Sequence, residues 1–358
     1  MPKSFSQDLL KWYDAHKRDL PWRHAKDPYH IWVSEMMLQQ TTVATVIPYY
    51  ERWIKTYPSV RHLANASLQE VLKSWQGLGY YNRAKNLHKA ANIVVNEYQG
   101  KLPNDPVLVR ALPGFGPYST GSVLSIAYDR PMIIIDANVR RLVMRLLAIE
   151  AVADTRQDKV IGEFLNGVLP KKRAGDFNQA LMEMGALVCR SKEPLCNTCP
   201  LRTYCRADQT GVQEIIPTPK KKIIKEINAV IGVIQKGNKY FIQKRVAKGL
   251  LADLWEFPGG KIEPGETKQE ALARELKEEM DGDLKSSKHL FELKHYYTQF
   301  RVNLSVFACT LKREPQLNSD RKWLTIKECA KYPMPSGSAK IIERLLNPPA
   351  KTQAKTKK

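Results

Sequence analysis

"LPGFGPYSTG" runs from Leu112 to Gly121 and lies between two short stretches of helical periodicity, "PVLVRAL" and "STGSVLSIAY". Two of its glycines, Gly114 and Gly116, are separated by one residue. Lacking side chains, they permit a tight hairpin and a close approach of the backbone to something outside the chain. The N–H groups opening the following helix suit an anion such as a DNA phosphate. Gly-x-Gly occurs in many turns, so the weight of this one comes from its surroundings.

Twenty residues after Gly116, Asp136 stands in "MIIIDANVRR". It is well placed to cap a helix starting near Ala137. The positive end of that helix favours an ionised carboxylate. Upstream, Asp27-Pro28 is a helix start, and the helix is expected to run through "YHIWVSEMMLQQ". Glu35 sits inside that stretch among apolar neighbours. On a solvent-facing position it is an ordinary helix residue. Facing a cleft, it loses hydration, and its carboxyl stays protonated near neutral pH. Two carboxyls with pKa values pushed apart provide an acid and a charge stabiliser, which suits cleavage of a glycosidic bond through an oxocarbenium-like transition state. Further helices are expected in "LQEVLKSW", "YNRAKNLHKAANIVVNEY", "NVRRLVMRLLAI" and "FNQALMEMGALVC", so residues 5–205 read as mostly helical.

The chain has 358 residues, enough for two domains, and a formal net charge of +21, which favours a polyanionic partner, most simply nucleic acid, over a generally solvated basic surface. No 18-residue apolar run appears, and the first 20 residues lack the apolar core of a signal peptide. A cytoplasmic, nucleoid-associated monomer is expected. Four of the six cysteines, Cys189, Cys196, Cys199 and Cys205, crowd into 17 residues. In a reducing compartment such a cluster points to metal; four thiolates can close a tetrahedral site, and spacing alone leaves zinc open.

Taken together, the hairpin, the aspartate downstream of it and the cysteine spacing resemble the helix-hairpin-helix DNA glycosylases of the endonuclease III superfamily. "WVSEMMLQQT", "GLGYYNRAKNLHKAA" and "FNQALMEMGALVC" resemble the adenine DNA glycosylase family within it, over about residues 5–210. The resemblance implies an all-α glycosylase domain with a 4Fe–4S cluster on the four cysteines. It implies that Glu35 protonates a flipped-out adenine, that Asp136 stabilises the sugar cation and that Asn138 helps position the chemistry. Tyr118 stands where lyase relatives carry a Schiff-base lysine, so base removal without efficient strand cleavage is expected. Gln40 and Tyr80 match residues that push into the base stack; Arg23 and Gln179 match the lining of the adenine pocket. Arg190, Lys192, Arg202 and Arg206 on the cluster loop could meet phosphates. Ala137 departs from the family's glycine between the aspartate and the asparagine.

After residue 214 the texture changes. "IIPTPKKKIIKE", residues 215–226, reads as an exposed basic linker. A small α/β domain is expected over 227–346, with strands in "INAVIGVIQ", "KYFIQKR" and "FRVNLSVFACT" and a helix in "KQEALARELKEEM". Residues 347–358 read as a disordered basic tail. From Gly260, five residues lead to Glu266, and seven more to "RELKEE" at 274–279. Glu275, Glu278 and Glu279 share one helical face and could hold Mg²⁺ against a diphosphate. This spacing resembles the Nudix box, except that a glycine arrives at Gly282 instead of position 281. Adenine glycosylases commonly end in such a domain, which reads 8-oxoguanine. "HYYTQFRVN", residues 295–303, resembles the family segment carrying Phe-Ser-His against that base, with Tyr297-Thr298-Gln299 in its place and Thr298 as the contact.

The expected function is excision of adenine mispaired with 8-oxoguanine, or with guanine, in duplex DNA. Three alternatives stand beside it: a glycosylase for another mismatched base such as thymine, a fusion that also hydrolyses 8-oxo-dGTP, and a nucleotide-pool pyrophosphatase tethered to DNA.

Overall fold

In the computed structural model of the chain, residues 4–219, 224–246, 249, 251–297 and 300–348 are described. The chain divides into two compact units. The first comprises Met1–Ala66 and Asn82–Lys221, and the second Ser67–Tyr81 and Lys222–Lys358. The short segment 67–81 therefore groups with the C-terminal part of the sequence.

The helices of the first unit are α1 (Ser4–His16), α2 (Pro28–Leu38), α3 (Val43–Thr56), α4 (Val60–Asn65), α6 (Asn82–Glu97), α7 (Pro106–Ala111), α8 (Pro117–Tyr128), α9 (Ala137–Leu147), α10 (Asp158–Val168), α11 (Ala174–Leu187) and α12 (Arg206–Gln209). Helix α5 (Leu68–Trp75) lies in the second unit. Phe5, Leu9 and Tyr13 of α1 recur at helical spacing and join Val139, Val143, Phe177, Leu181 and Met184 in one core.

Helix α2 is apolar on all sides; Ile31, Trp32, Val33, Met36 and Met37 are all buried, and Glu35 is carried in with them. Asp27 caps it, accepting from the Tyr29 N–H at 2.9 Å. The helix stops at Leu38 and does not continue through Gln39 and Gln40. The cause is Arg83, whose buried guanidinium donates to the carbonyls of Met36, Met37 and Gln39 and so takes up acceptors that the next turn would have used. Gln40 then turns into the left-handed region at φ 57°.

The expected hairpin forms between α7 and α8. Gly114 takes φ 83°, and a Cβ there would lie 2.8 Å from Asn86 Cβ. Gly116 caps α8, and its own N–H donates to Ser119 Oγ at 2.8 Å. Ile216, inside the stretch expected as an exposed linker, is buried in the first unit, and Arg145 Nε donates to its carbonyl at 2.8 Å.

The second unit is built on a seven-stranded mixed sheet: β1 (Lys225–Lys236), β2 (Lys239–Lys244), β3 (Trp255–Glu256), β4 (Gly259–Lys261), β5 (Leu284–Tyr297), β6 (Phe300–Leu311) and β7 (Arg321–Thr325). The central path runs β3-β2-β1-β6-β5, with β1 and β6 parallel. Alternate residues of β1 serve two cores. Ala229, Ile231 and Val233 pack with Trp255, Phe257 and Ile341; Val230 and Ile234 pack with Leu272, Leu276 and Met280 of α13 (Lys268–Met280). Helices α14 (Ile326–Cys329) and α15 (Ser336–Leu346) complete the unit. Helix α5 is fastened to it by side chains. Trp255 Nε1 donates to Gln69 Oε1 at 2.9 Å, Lys73 Nζ reaches the carbonyls of Ala330 and Tyr332 at 2.6 and 3.3 Å, and Gln76 Oε1 accepts from the Met334 N–H.

Candidate active site

Helices α2, α8, α9 and α11 bring Glu35, Tyr118, Asp136, Asn138 and Gln179 to one pocket of about 430 Å³. Arg23, from the turn before α2, also lines it. Six of the residues singled out in the sequence therefore converge. Among the described residues no lysine lines the pocket.

Glu35 is 4% exposed. Burial pushes its carboxyl above the usual range, and the negative charge of Asp136 adds to the rise. Two hydroxyls oppose it: Tyr118 Oη donates to Glu35 Oε2 at 2.7 Å, and Ser122 bonds the same carboxyl. The Tyr118 phenol, buried beside two carboxyls, is held far above its ordinary value and stays a donor.

Asp136 caps α9, accepting from the Val139 N–H at 2.7 Å and from Asn138 Nδ2 at 3.1 Å. Burial raises its carboxyl too, so the two pKa values are not simply driven in opposite directions. The difference lies in the partners. Asp136 receives backbone and amide N–H groups and faces the Arg141 guanidinium, all of which favour its charged form. Ala137 is the first residue of α9 and is absent from the positive-φ positions, so the family's glycine is not needed there. Gly185 is needed: a Cβ on it would lie 2.6 Å from Asn138 Cβ, so its absence lets α11 close on α9.

Three features were not read from the sequence. Glu183, four residues after Gln179 on α11, is 1% exposed and is gripped by Arg18 and Arg23 at 2.8 and 3.0 Å. Arg141 donates to Asn138 Oδ1 at 3.0 Å and to the Cys189 carbonyl at 2.9 Å, joining the pocket to the cysteine loop. Arg145, 1% exposed, donates to Cys189 Sγ at 3.4 Å and to the Arg190 carbonyl at 2.6 Å. The spacing of the arginine-rich α9 was the available signal. Its apolar face explains the helix but not the inward turn of Arg141 and Arg145.

Cys189, Cys196, Cys199 and Cys205 border one small cavity beside Arg145, and none is in a disulfide. Among the described residues no three His, Cys, Asp or Glu side chains meet closely enough to hold a single metal ion. The loop's Arg190, Lys192, Arg202 and Arg206 are all exposed.

Gln40 and Tyr80 lie outside the pocket lining. Both are exposed and both adopt the left-handed backbone, at φ 57° and 47°. For non-glycine residues that conformation is costly and concentrates at functional turns.

In the second unit, the expected Mg²⁺ ligands are engaged elsewhere. Arg274 bonds Glu266, Glu275 and Glu278 together. Glu279 is turned inward, accepting from the Gly259 N–H at 2.9 Å and Gln243 Nε2 at 2.7 Å; burial raises its carboxyl to about 7. As arranged, these glutamates do not fit a divalent ion. Position 281 is filled by Asp281 in the left-handed C-cap at φ 56°, a conformation that aspartate tolerates in place of the box's glycine. Thr298 and Gln299 lie outside the described residues, as does the side chain of Tyr297.

Residues 33–165 match the family model of the HhH-GPD superfamily base excision DNA repair protein, and residues 229–344 match the NUDIX domain. The adenine DNA glycosylase of Mus musculus is 34% identical over 95% of this chain and 77% of its own length. That of Buchnera aphidicola subsp. Schizaphis graminum is 32% identical over 95% of this chain and 98% of its own. The chain belongs to the adenine DNA glycosylase family. It is a DNA glycosylase of base excision repair, and its substrate is DNA. Among solved structures, a thermostable thymine-DNA glycosylase superposes with a TM-score of 0.52 at 28% identity, covering 58% of this chain and 96% of that one. An endonuclease III–DNA complex shares the fold, with a TM-score of 0.51 at 23% identity over 60% of this chain and 99% of that one. Among the described residues no helix is long and apolar enough to cross a membrane.

Proposed function

We propose that this glycosylase hydrolyses the N-glycosidic bond of adenine mispaired with 8-oxoguanine, or with guanine, in duplex DNA and leaves an abasic site. The observation that carries the reading is the buried, hydroxyl-bonded Glu35 sharing a pocket with an N–H-bonded Asp136. Burial raises the Glu35 pKa and so favours its protonated, acidic form. Glu35 gives that proton to the extruded purine. As the C1′–N9 bond breaks, its electron pair leaves with the base. Tyr118 and Ser122 donate to the carboxylate that Glu35 becomes, easing proton release. Asp136, whose charged form its N–H partners favour, faces the positive charge left on the sugar, and water completes the hydrolysis. Asn138 holds Asp136 in place. Arg23 and Gln179 read the base edge, while Gln40 and Tyr80 enter the base stack. With Tyr118 at the lyase position and no lysine among the described residues of the pocket lining, no Schiff base forms and the strand stays intact.

Cys189, Cys196, Cys199 and Cys205 would hold a 4Fe–4S cluster, which cross-links their loop when bound. One observation supports it over zinc: the thiols border a cavity instead of meeting at one point, which suits a polynuclear group. Arg145, a buried cation with carbonyl and thiol partners, balances an anionic ligand set of either kind. The second unit serves as the 8-oxoguanine reader, with Thr298 as its contact and the Nudix glutamates holding the box together.

The test is release of adenine from A:8-oxoguanine and A:guanine duplexes beside thymine release from T:guanine, with Mg²⁺-dependent hydrolysis of 8-oxo-dGTP measured in parallel. Adenine release without nicking or nucleotide hydrolysis is expected. Preferential thymine release would overturn the base assignment. Nucleotide hydrolysis lost in Glu278→Gln would make the box a second active site.

A further inference from the structure

Glu35 borders two cavities. Besides the pocket it shares with Asp136, it lines a second of about 620 Å³, within the ordinary range of small-molecule sites, about 300–1,000 Å³. Arg18, Trp22, Arg23 and Gln179 also face both. Tyr118, Asp136 and Asn138 line only the first, so the sugar belongs there. Tyr13, Ala127 and Tyr128 line only the second.

The partition between the two is made of side chains of unequal firmness. Arg23 is fixed, with Nη1 donating to the Arg18 carbonyl at 2.8 Å and Nη2 to Glu183 Oε2 at 3.0 Å. Gln179 is held by two long bonds, its Oε1 accepting from Arg23 Nε at 3.3 Å and its Nε2 donating to the Gly175 carbonyl at 3.4 Å. Bonds of that length are weak. Swinging Gln179 aside would join the cavities next to Glu35.

The chemistry of the reaction gives this connection a use. Cleavage leaves the abasic sugar attached to DNA at the Asp136 side, between the freed base and the way it entered. The second cavity is lined by the rings of Trp22 and Tyr128, by the amide of Gln179 for the polar edge of a heteroaromatic base, and by the charged Lys17, Lys26, Asp129 and Asp176. We propose that the second cavity is a product site for the excised purine, reached past Gln179 without passing the sugar. The inference rests on the glycosylase reading above.

The experiment is equilibrium dialysis of radiolabelled adenine against the full chain saturated with duplex carrying a tetrahydrofuran abasic analogue opposite 8-oxoguanine. Ala127→Trp and Ala25→Trp fill the second cavity from residues that do not line the first. Saturable adenine binding by the wild-type complex is expected. Each tryptophan should weaken it by about tenfold or more, with single-turnover base excision at the wild-type level. Ala127→Leu, a smaller filler, should give an intermediate loss. Wild-type protein that excises adenine but binds none beside the abasic analogue overturns the product site alone, as does unchanged binding in filled variants that excise normally. A wild-type chain that excises no adenine overturns the glycosylase reading and this inference with it.

Discussion

Tyr118 points its hydroxyl at Glu35, donating to Oε2 at 2.7 Å, and burial beside two carboxyls keeps that phenol protonated. The bond favours the charged form of Glu35 and so restrains a pKa that burial raises. Tyr118→Phe removes the restraint. Because the acid must be protonated to act, excision falls as pH rises through the Glu35 pKa. The variant's alkaline limb should therefore move to higher pH, with a lower maximal rate because the carboxylate formed is less well stabilised. A single-turnover pH profile checks this; an unmoved limb would separate Tyr118 from the acid. Tyr118→Lys should add strand nicking, read on a denaturing gel.

Glu35→Gln keeps the shape of the side chain and removes its proton. Excision should fall by about 10²–10⁴-fold, the usual contribution of a general acid. DNA affinity should stay close to wild type, since the residue is buried in the pocket. Comparable turnover would sink the assignment.

Arg141 joins Asn138 Oδ1 to the Cys189 carbonyl, and Asn138 in turn bonds Asp136. Arg141→Gln should weaken both ends of this chain of contacts. Charge-assisted bonds of this kind contribute about 1.5–3 kcal/mol each when buried. Slower excision and, where the proposed 4Fe–4S cluster is bound, faster loss of visible absorbance on warming are expected together. Loss of one without the other would show that the contacts act separately.

Glu183 is buried, and burial works to raise its carboxyl, but its bonds to Arg18 and Arg23 outweigh this and bring it down to about 2 from 4.5. A depressed carboxylate contributes stability above its unfolded pKa and loses it as pH falls through the folded one. The stability gap between the wild type and Glu183→Gln should be full above pH 4.5 and close toward pH 2. Because Arg18 is 35% exposed, solvent screening limits the gap to the order of 1–3 kcal/mol. Urea titrations at several pH values measure it.

Much of this was legible in the sequence because the signals were local. The Asp27 and Asp136 caps, the hairpin glycines and helix Lys268–Met280 follow from neighbours a few residues apart. Strand β5 was not read. Its "LKSSKHLFELKHYY" alternates weakly and carries five Lys and His residues, and β6 supplies the pairing that makes it a strand. Glu35 and Asp136 were found as separate carboxyls. That both pKa values rise, and that partners rather than the helix end alone set them apart, depends on burial by helices distant in sequence. The same holds for the Nudix glutamates. Their helical spacing was right, but the Gly259 N–H and Gln243 that turn Glu279 inward come from other strands.

Segment 67–81 gives the chain an order of assembly. The partners of helix α5 follow it by 186 residues at Trp255, 257 at Ala330 and 259 at Tyr332. As the protein leaves the ribosome, the helices before and after this segment can find one another early. The segment itself waits until nearly all of the chain has been made. Contacts of such long separation form late and slow folding. Ribosome-bound chains ending near residue 221 would present Gln69, Lys73 and Gln76 before the later-made partners that fasten them to the second unit, Trp255, Ala330, Tyr332 and Met334, exist, which makes this segment a place for chaperones to act.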